Sequence, residues 1–312
     1  MAFVFLFPGQ GSQTHRMGAE IYRDIPACRR LFEEADAIVG YSLTRLIFEG
    51  RAEDLASTDI LQPALSLVNA ASLEALREKG YVPAAVAGHS LGEYSACYAA
   101  GVFGFADLLQ LTQARGRLMA AAAAANPGGM LAIAGLSEES IADIVRLASE
   151  AGVVCTANLN APDQVVLSGE TKALERATDL AAGRGARKVA RLNVSGAWHS
   201  PLMSSSRADF ERELDRVVFH DAAVDIYPNV TAGRTRSSGA IRQLLAAQYD
   251  SRVRWSETIA NIDRDYPDTT YVEVGPGRVL TGLLLSINRR ARVYHVDSPQ
   301  SLEAFVRKAG AP

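Results

Sequence analysis

The stretch Val82-Pro83-Ala84-Ala85-Val86-Ala87-Gly88-His89-Ser90-Leu91-Gly92-Glu93-Tyr94-Ser95-Ala96-Cys97-Tyr98-Ala99-Ala100 sets a small-x-Ser-x-small motif between an apolar run and a helix-forming segment. Pro83 to Ala87 is short and apolar enough for a strand buried on both faces, and no Pro or Gly interrupts the residues from Glu93 to Ala100. A tight, strained turn between such a strand and helix is a nucleophile elbow, in which the glycines let the chain present the Ser90 hydroxyl at the strand's end. Ser90 would then lie at a helix N-terminus, where unpaired N–H groups and the helix dipole favour developing negative charge. A simple helix-capping serine is the competing reading of the motif alone.

A nucleophilic serine needs a base, and His15, His89, His199, His220 and His295 are the candidates. His89 adjoins Ser90 and would point away from it on an elbow. His199 follows the strand-like Ala186 to Asn193 and precedes a helical pattern, which puts its imidazole in a strand-to-helix loop of the kind that lines α/β active sites. His15, His220 and His295 read as solvated or structural.

Short apolar strands alternate with amphipathic or Ala-rich helices along the chain, the pattern of an α/β fold with a mostly parallel sheet. From Met130 the rhythm changes to strand (Met130 to Ala134), helix (Glu138 to Ala151), strand (Val153 to Asn158), strand (Gln164 to Ser168), helix (Lys172 to Ala182) and strand (Lys188 to Asn193). That β-α-β-β-α-β order predicts a ferredoxin-like subdomain over 127–194, inserted into an α/β hydrolase-like core made of 1–126 and 195–312. The active site is expected in the cleft between them. The polar run Ala232 to Gly239 reads as a surface loop.

Five segments occur together in one order: Phe7-Pro8-Gly9-Gln10-Gly11-Ser12-Gln13, the Ser90 motif, Gln113-Ala114-Arg115-Gly116-Arg117-Leu118-Met119, Gly196-Ala197-Trp198-His199-Ser200-Pro201-Leu202-Met203, and Glu273-Val274-Gly275-Pro276-Gly277-Arg278-Val279-Leu280. In these the chain, from Phe3 to about Val293, resembles the malonyl-CoA:acyl carrier protein transacylases, including the free-standing acyltransferases of polyketide assembly lines. The co-linear set displaces the helix-cap reading of Ser90. The resemblance implies ping-pong acyl transfer by a Ser90–His199 dyad, the imidazole oriented by a backbone carbonyl of Gln248 in place of an acidic third member.

It also implies an oxyanion hole formed by the backbone N–H groups of Gln10 and Leu91, with Gly9 and Gly11 allowing close approach. A dinucleotide fingerprint at Gly9-x-Gly11 is the rival, but Thr14 stands where the third glycine would be. Arg115 is the implied ligand of the malonyl carboxylate, since a guanidinium can grip a carboxylate through two parallel hydrogen bonds; Arg117 is expected in solvent. Leu91 and the bulky Trp198 resemble the malonyl-selective pattern, which crowds an α-methyl group. Two departures stand out: Trp198 where Phe is usual, and Arg252 where proline is common, beside the Gln248 loop.

Composition bounds the rest. The 312 residues, nearly half of them hydrophobic, can bury a substantial core. A net charge of −3 argues against nucleic acid as the principal partner, and no apolar run reaches the roughly 20 residues of a membrane span. No secretory signal is evident, and Cys28, Cys97 and Cys155 are too few and scattered for a disulfide framework or a metal site, which fits a reducing cytoplasm.

The expected substrate is a coenzyme A thioester and the expected partner a phosphopantetheinylated acyl carrier protein, served by a monomer without a bound cofactor or metal. Arg184, Arg187, Lys188 and Arg191, or Arg289, Arg290 and Arg292, could steer an acidic carrier. The rival functions are a proofreading acyl hydrolase acting on carrier thioesters and a non-catalytic carrier-binding scaffold. Arg115 speaks against the first, and the Ser90 and His199 pair against the second.

Overall fold

Alternation along the first strand shows how the larger sheet is covered. In a computed structural model describing residues 2–51, 53–55 and 57–310, Phe3, Phe5 and Phe7 point into one apolar cluster while Val4 and Leu6 enter a second on the opposite face. With both faces covered, the strand reads as an unbroken apolar run.

The strands in chain order are β1 (Phe3–Phe7), β2 (Ala85–Gly88), β3 (Gly129–Ala134), β4 (Val154–Ala161), β5 (Gln164–Gly169), β6 (Lys188–Arg191), β7 (Asp225–Ile226), β8 (Thr270–Val274) and β9 (Arg292–Val296). Five form a wholly parallel sheet in the order β7-β2-β1-β8-β9. The C-terminal ends of β1 and β2 lie side by side, Phe7 opposite Gly88, so the Pro8–Gln13 loop and the Ser90 turn leave the sheet together. Ligands gather at that edge in open α/β sheets.

The other four strands form a separate antiparallel sheet in the order β4-β5-β3-β6, with helices Glu138–Ala148 and Thr171–Gly183 between them in sequence. This sheet has its own apolar cluster, centred on Leu131, Ile133, Ile144, Leu167 and Leu174. It docks on the larger unit through Val253, whose N–H donates to Ala157 O (2.8 Å) and whose carbonyl accepts from Leu159 N (2.9 Å).

Some expectations shift. The strand before Ser90 starts at Ala85, because Pro83 has no N–H to pair and Val82 is 71% exposed. The strand before His199 is cut to Lys188–Arg191: it is an edge strand, paired only with β3 over four positions. After His199 the chain makes a 3-10 turn, Pro201–Ser206, before the helix Arg207–Leu214. The polar run at 232–239 is not simply a surface loop: Ala232 is buried, Thr235 bridges to Ile226, and Arg234 and Arg236 pair with Asp225. Those contacts pin the two-residue strand β7 to the sheet.

Candidate active site

Ser90 sits between β2 and the helix Gly92–Ala99 with φ +51°, in the left-handed region that costs a residue with a Cβ. The turn closes so tightly that a Cβ on Gly92 would lie 1.9 Å from Phe7 O. Gly9 has the same role in the neighbouring loop, where a Cβ would meet His89 O at 2.4 Å, whereas Gly11 faces open space and serves only its φ of +99°. The close-approach role expected of both glycines therefore belongs to Gly9 alone.

The Ser90 hydroxyl is 2.6 Å from His199 Nε2. His199 is buried, also has a left-handed φ (+57°), and directs Nδ1 at two carbonyls, those of Gln248 and Ser251, each at 3.0 Å. Both are acceptors only, so Nδ1 carries the proton and Nε2 is left to accept from Ser90. The exposed Arg252 side chain leaves this arrangement intact, because Val253 beside it is tied to β4. The expected carbonyl of Gln248 is thus in place, joined by that of Ser251, which the motifs did not single out.

Burial, with the Arg115 charge and His89 nearby, pushes the His199 imidazole down to about 3 against the pull of its two carbonyls. A neutral base needs no deprotonation before it acts. The imidazole resonances of His199 are therefore expected to stay those of the neutral ring from about pH 8 to about pH 5 in an NMR titration, whereas a midpoint above about 6 would contradict its desolvation.

Arg115, on the helix Phe105–Ala125, is fully buried. It donates to Gln62 Oε1 (3.0 Å), Gln248 Oε1 (3.1 Å) and Ser90 Oγ (3.4 Å), and stands 5.4 Å from the centre of the Tyr94 ring. Its Nε has no partner, and among the described residues no acid forms an ion pair with it. The guanidinium is thus a buried cation held by neutral amides, its charge unmatched by an ion pair among the described residues. Two residues along, Arg117 is 64% exposed and faces Glu213 at 3.7 Å.

Trp198 is buried and lines the cleft with Gln10, Ser90, Met119 and His199; its ring lies over Gly196, where an added Cβ would be 2.6 Å away. The backbone N–H groups of Gln10 and Leu91 have no acceptor among the described residues, so both remain available beside Ser90. A roomier groove on the outer side of the Phe105–Ala125 helix, lined by Tyr41, Asp59, Gln113 and Arg117, contains no nucleophile paired with a base. His89 turns from Ser90 to Asn160 Oδ1 (2.9 Å).

Sequence reading missed three buried residues here. Gln62 holds Arg115 and also donates to Gln10 Oε1 (3.2 Å); it is a lone amide in the apolar Ile60-Leu61-Gln62-Pro63-Ala64-Leu65, a signal too weak to assign a role. Asn229 bonds to Glu93 and to Ser90, 136 and 139 residues away in sequence, and no motif foretells that meeting. Burial raises the Glu93 carboxyl to about 7, against the Gln248 and Asn229 donors and the Arg115 charge that lower it. Among the described residues no group of His, Cys, Asp and Glu could hold a metal ion, and no helix is long and apolar enough to cross a membrane.

The family model for the acyl transferase domain matches residues 4–291. The chain is 41% identical over 305 residues to the malonyl CoA-acyl carrier protein transacylase of Bacillus subtilis, covering 97% of this chain and 96% of that protein. It is 39% identical over 283 residues to the polyketide biosynthesis malonyl CoA-acyl carrier protein transacylase BaeC of Bacillus velezensis, covering 90% and 95%. A solved complex of a type II PKS acyl-carrier protein with its malonyl-transacylase superposes with a TM-score of 0.95 at 36% identity, covering 98% of this chain and 99% of that one. With its elbow serine and histidine in one cleft and a buried arginine 3.4 Å from the serine hydroxyl, the chain belongs to the malonyl CoA-acyl carrier protein transacylase family.

Proposed function

We propose that this protein is a malonyl-CoA:acyl carrier protein S-malonyltransferase, supplying fatty-acid or polyketide synthesis through an acyl-Ser90 intermediate. The observation that carries the reading is the buried Arg115 guanidinium, without an acid partner among the described residues, at 3.4 Å from the Ser90 hydroxyl, which itself meets a neutral imidazole. Ser90 Oγ attacks the thioester carbonyl of malonyl-CoA while His199 Nε2 takes its proton. The tetrahedral oxyanion is stabilised by the N–H groups of Gln10 and Leu91. Collapse breaks the C–S bond, and His199 returns the proton to the departing thiolate. The carrier's phosphopantetheine thiol then attacks the acyl-serine, giving its proton to His199, which passes it to Ser90 as the C–O bond breaks. Arg115 holds the malonyl carboxylate throughout, and the chemistry uses no bound cofactor or metal.

Residues 127–194 are read as a ferredoxin-like subdomain on an α/β hydrolase-like core of 1–126 and 195–312; the separate apolar cluster and the β-α-β-β-α-β order support this. The protein acts as a monomer. Of the two basic clusters, Arg289, Arg290 and Arg292 are the better suited to steer an acidic carrier, being exposed and unpaired among the described residues. In the other, Arg187 is held by Asp163 (2.6 Å) and Arg191 donates to Thr171 O (3.0 Å).

Intact-mass spectrometry after incubation with a panel of acyl-CoAs tests the function. One malonyl adduct is expected, discharged onto holo-acyl carrier protein with little free acid. Predominant release of free acid from carrier thioesters would instead favour the hydrolase. Trp198 supplies a finer check: Trp198→Ala is expected to raise the methylmalonyl-to-malonyl ratio in kcat/KM by about tenfold or more, by relieving a clash worth roughly one buried carbon. An unchanged ratio would mean that the ring does not crowd the α-carbon.

A further inference from the structure

The Ser90 turn has a bonding problem that its own segment cannot solve. At φ +51° the residue leaves strand β2 without joining the helix ladder, so its N–H has no regular partner. Asn229, from the loop after β7, supplies one: its Oδ1 accepts from Ser90 N at 2.7 Å, and its Nδ2 donates to Gly88 O at 2.7 Å. A single side-chain amide thus bridges the turn from the last strand residue to the nucleophile.

The amide's orientation is determined by its partners, since Gly88 O can only accept and Ser90 N–H can only donate. Its backbone is held as well. Asn229 N donates to Glu93 Oε2 (3.1 Å), and the same oxygen accepts from Gln248 Nε2 (2.8 Å), which also donates to Ser90 O (2.8 Å). Asn229, Glu93 and Gln248 are all buried. Because Asn229 occupies the N–H of Ser90, the next N–H, that of Leu91, is the one left free at the turn.

We propose that Asn229 is a positioning residue that clamps the left-handed Ser90 turn, holding the hydroxyl on His199 Nε2 and leaving the Leu91 N–H for the oxyanion; this rests on the reading of Ser90 as the nucleophile. Asn229 touches neither the substrate nor the reacting atoms. Its effect falls on the acylation step and leaves the grip of Arg115 on malonyl intact. Loss of the clamp lets the turn relax, so the hydroxyl spends less time in line with its base.

The test compares single-turnover acylation by malonyl-CoA in the full-length wild type, Asn229→Ala and Asn229→Asp, with thermal melts alongside. Asn229→Asp keeps the shape and the acceptor for Ser90 N but turns the donor at Gly88 O into an acceptor. Both variants are expected to lower the maximal acylation rate roughly tenfold to a thousandfold, with the half-saturating malonyl-CoA concentration within about threefold of wild type. In a His199→Ala background the Asn229→Ala loss is expected to shrink to about threefold or less, because the two residues act on one hydroxyl.

Equal losses in both backgrounds, a rise in half-saturation with an unchanged maximal rate, or failure of both variants to fold would each overturn the proposal. Failure of the wild type itself to acquire a Ser90 adduct would remove the underlying functional reading instead.

Discussion

Ser90→Ala is expected to abolish the malonyl adduct, and His199→Ala to slow its formation by about 10²–10⁴-fold, the usual range for losing a positioned general base. An unassisted serine hydroxyl is a weak nucleophile, and the 2.6 Å contact with Nε2 is the only route among the described residues by which its proton meets a neutral imidazole. The two substitutions differ in their effect on the fold. Ser90→Ala removes one hydroxyl and leaves the turn's backbone bonds in place. His199→Ala strips the carbonyls of Gln248 and Ser251 of their shared donor in a buried setting, at a cost of about 1–3 kcal/mol in stability. Intact-mass kinetics with a melt of each variant separates these effects. An adduct persisting on Ser90→Ala would move the nucleophile elsewhere, and a near-normal rate in folded His199→Ala would remove the base from the mechanism.

Arg115→Ala is expected to cost malonyl transfer about 2–5 kcal/mol, or roughly 30-fold to several thousand-fold in kcat/KM, the scale of breaking a buried charge pair with hydrogen bonds. Acetyl and longer neutral acyl groups have no carboxylate to lose, so they are expected to transfer as well as before or better. The guanidinium is fully buried with an unpaired Nε, and a neutral acyl chain beside it would leave that charge unanswered. Arg115→Lys should recover only part of the malonyl rate. An ammonium cannot contact Gln62, Gln248 and a carboxylate with the fixed fork that Arg115 presents. Unchanged malonyl transfer in Arg115→Ala, with net hydrolysis by the native protein, would exchange the transferase for the hydrolase.

Local chemistry made part of this protein legible in the sequence. An apolar run, a small-x-Ser-x-small turn and an uninterrupted helical segment announce a strand, an elbow and a helix, because each depends on residues within one turn of one another. The order of elements from β3 to β6 was likewise readable, with the last strand shortened because β6 lies at a sheet edge; before Ser90, β2 starts later because Pro83 cannot pair. Ser90, His199, Arg115, Trp198 and Gln248 could be named from motifs in register with a family.

Tertiary structure alone decided how those residues are held. Three of the contacts around Ser90 join positions far apart in sequence: Asn229 to Ser90, Gln248 to Ser90 and Gln62 to Arg115, at separations of 139, 158 and 53 residues. Asn and Gln mark turns and surfaces in most sequences, and nothing in their neighbours announces a buried role. The left-handed φ of His199 and its second carbonyl, from Ser251, also depend on where the chain returns from the antiparallel sheet. Motifs can name candidate groups for the chemistry. The hydrogen bonds that orient them, and the burial that keeps His199 neutral and Arg115 unpaired, arise only when distant segments pack together and exclude water.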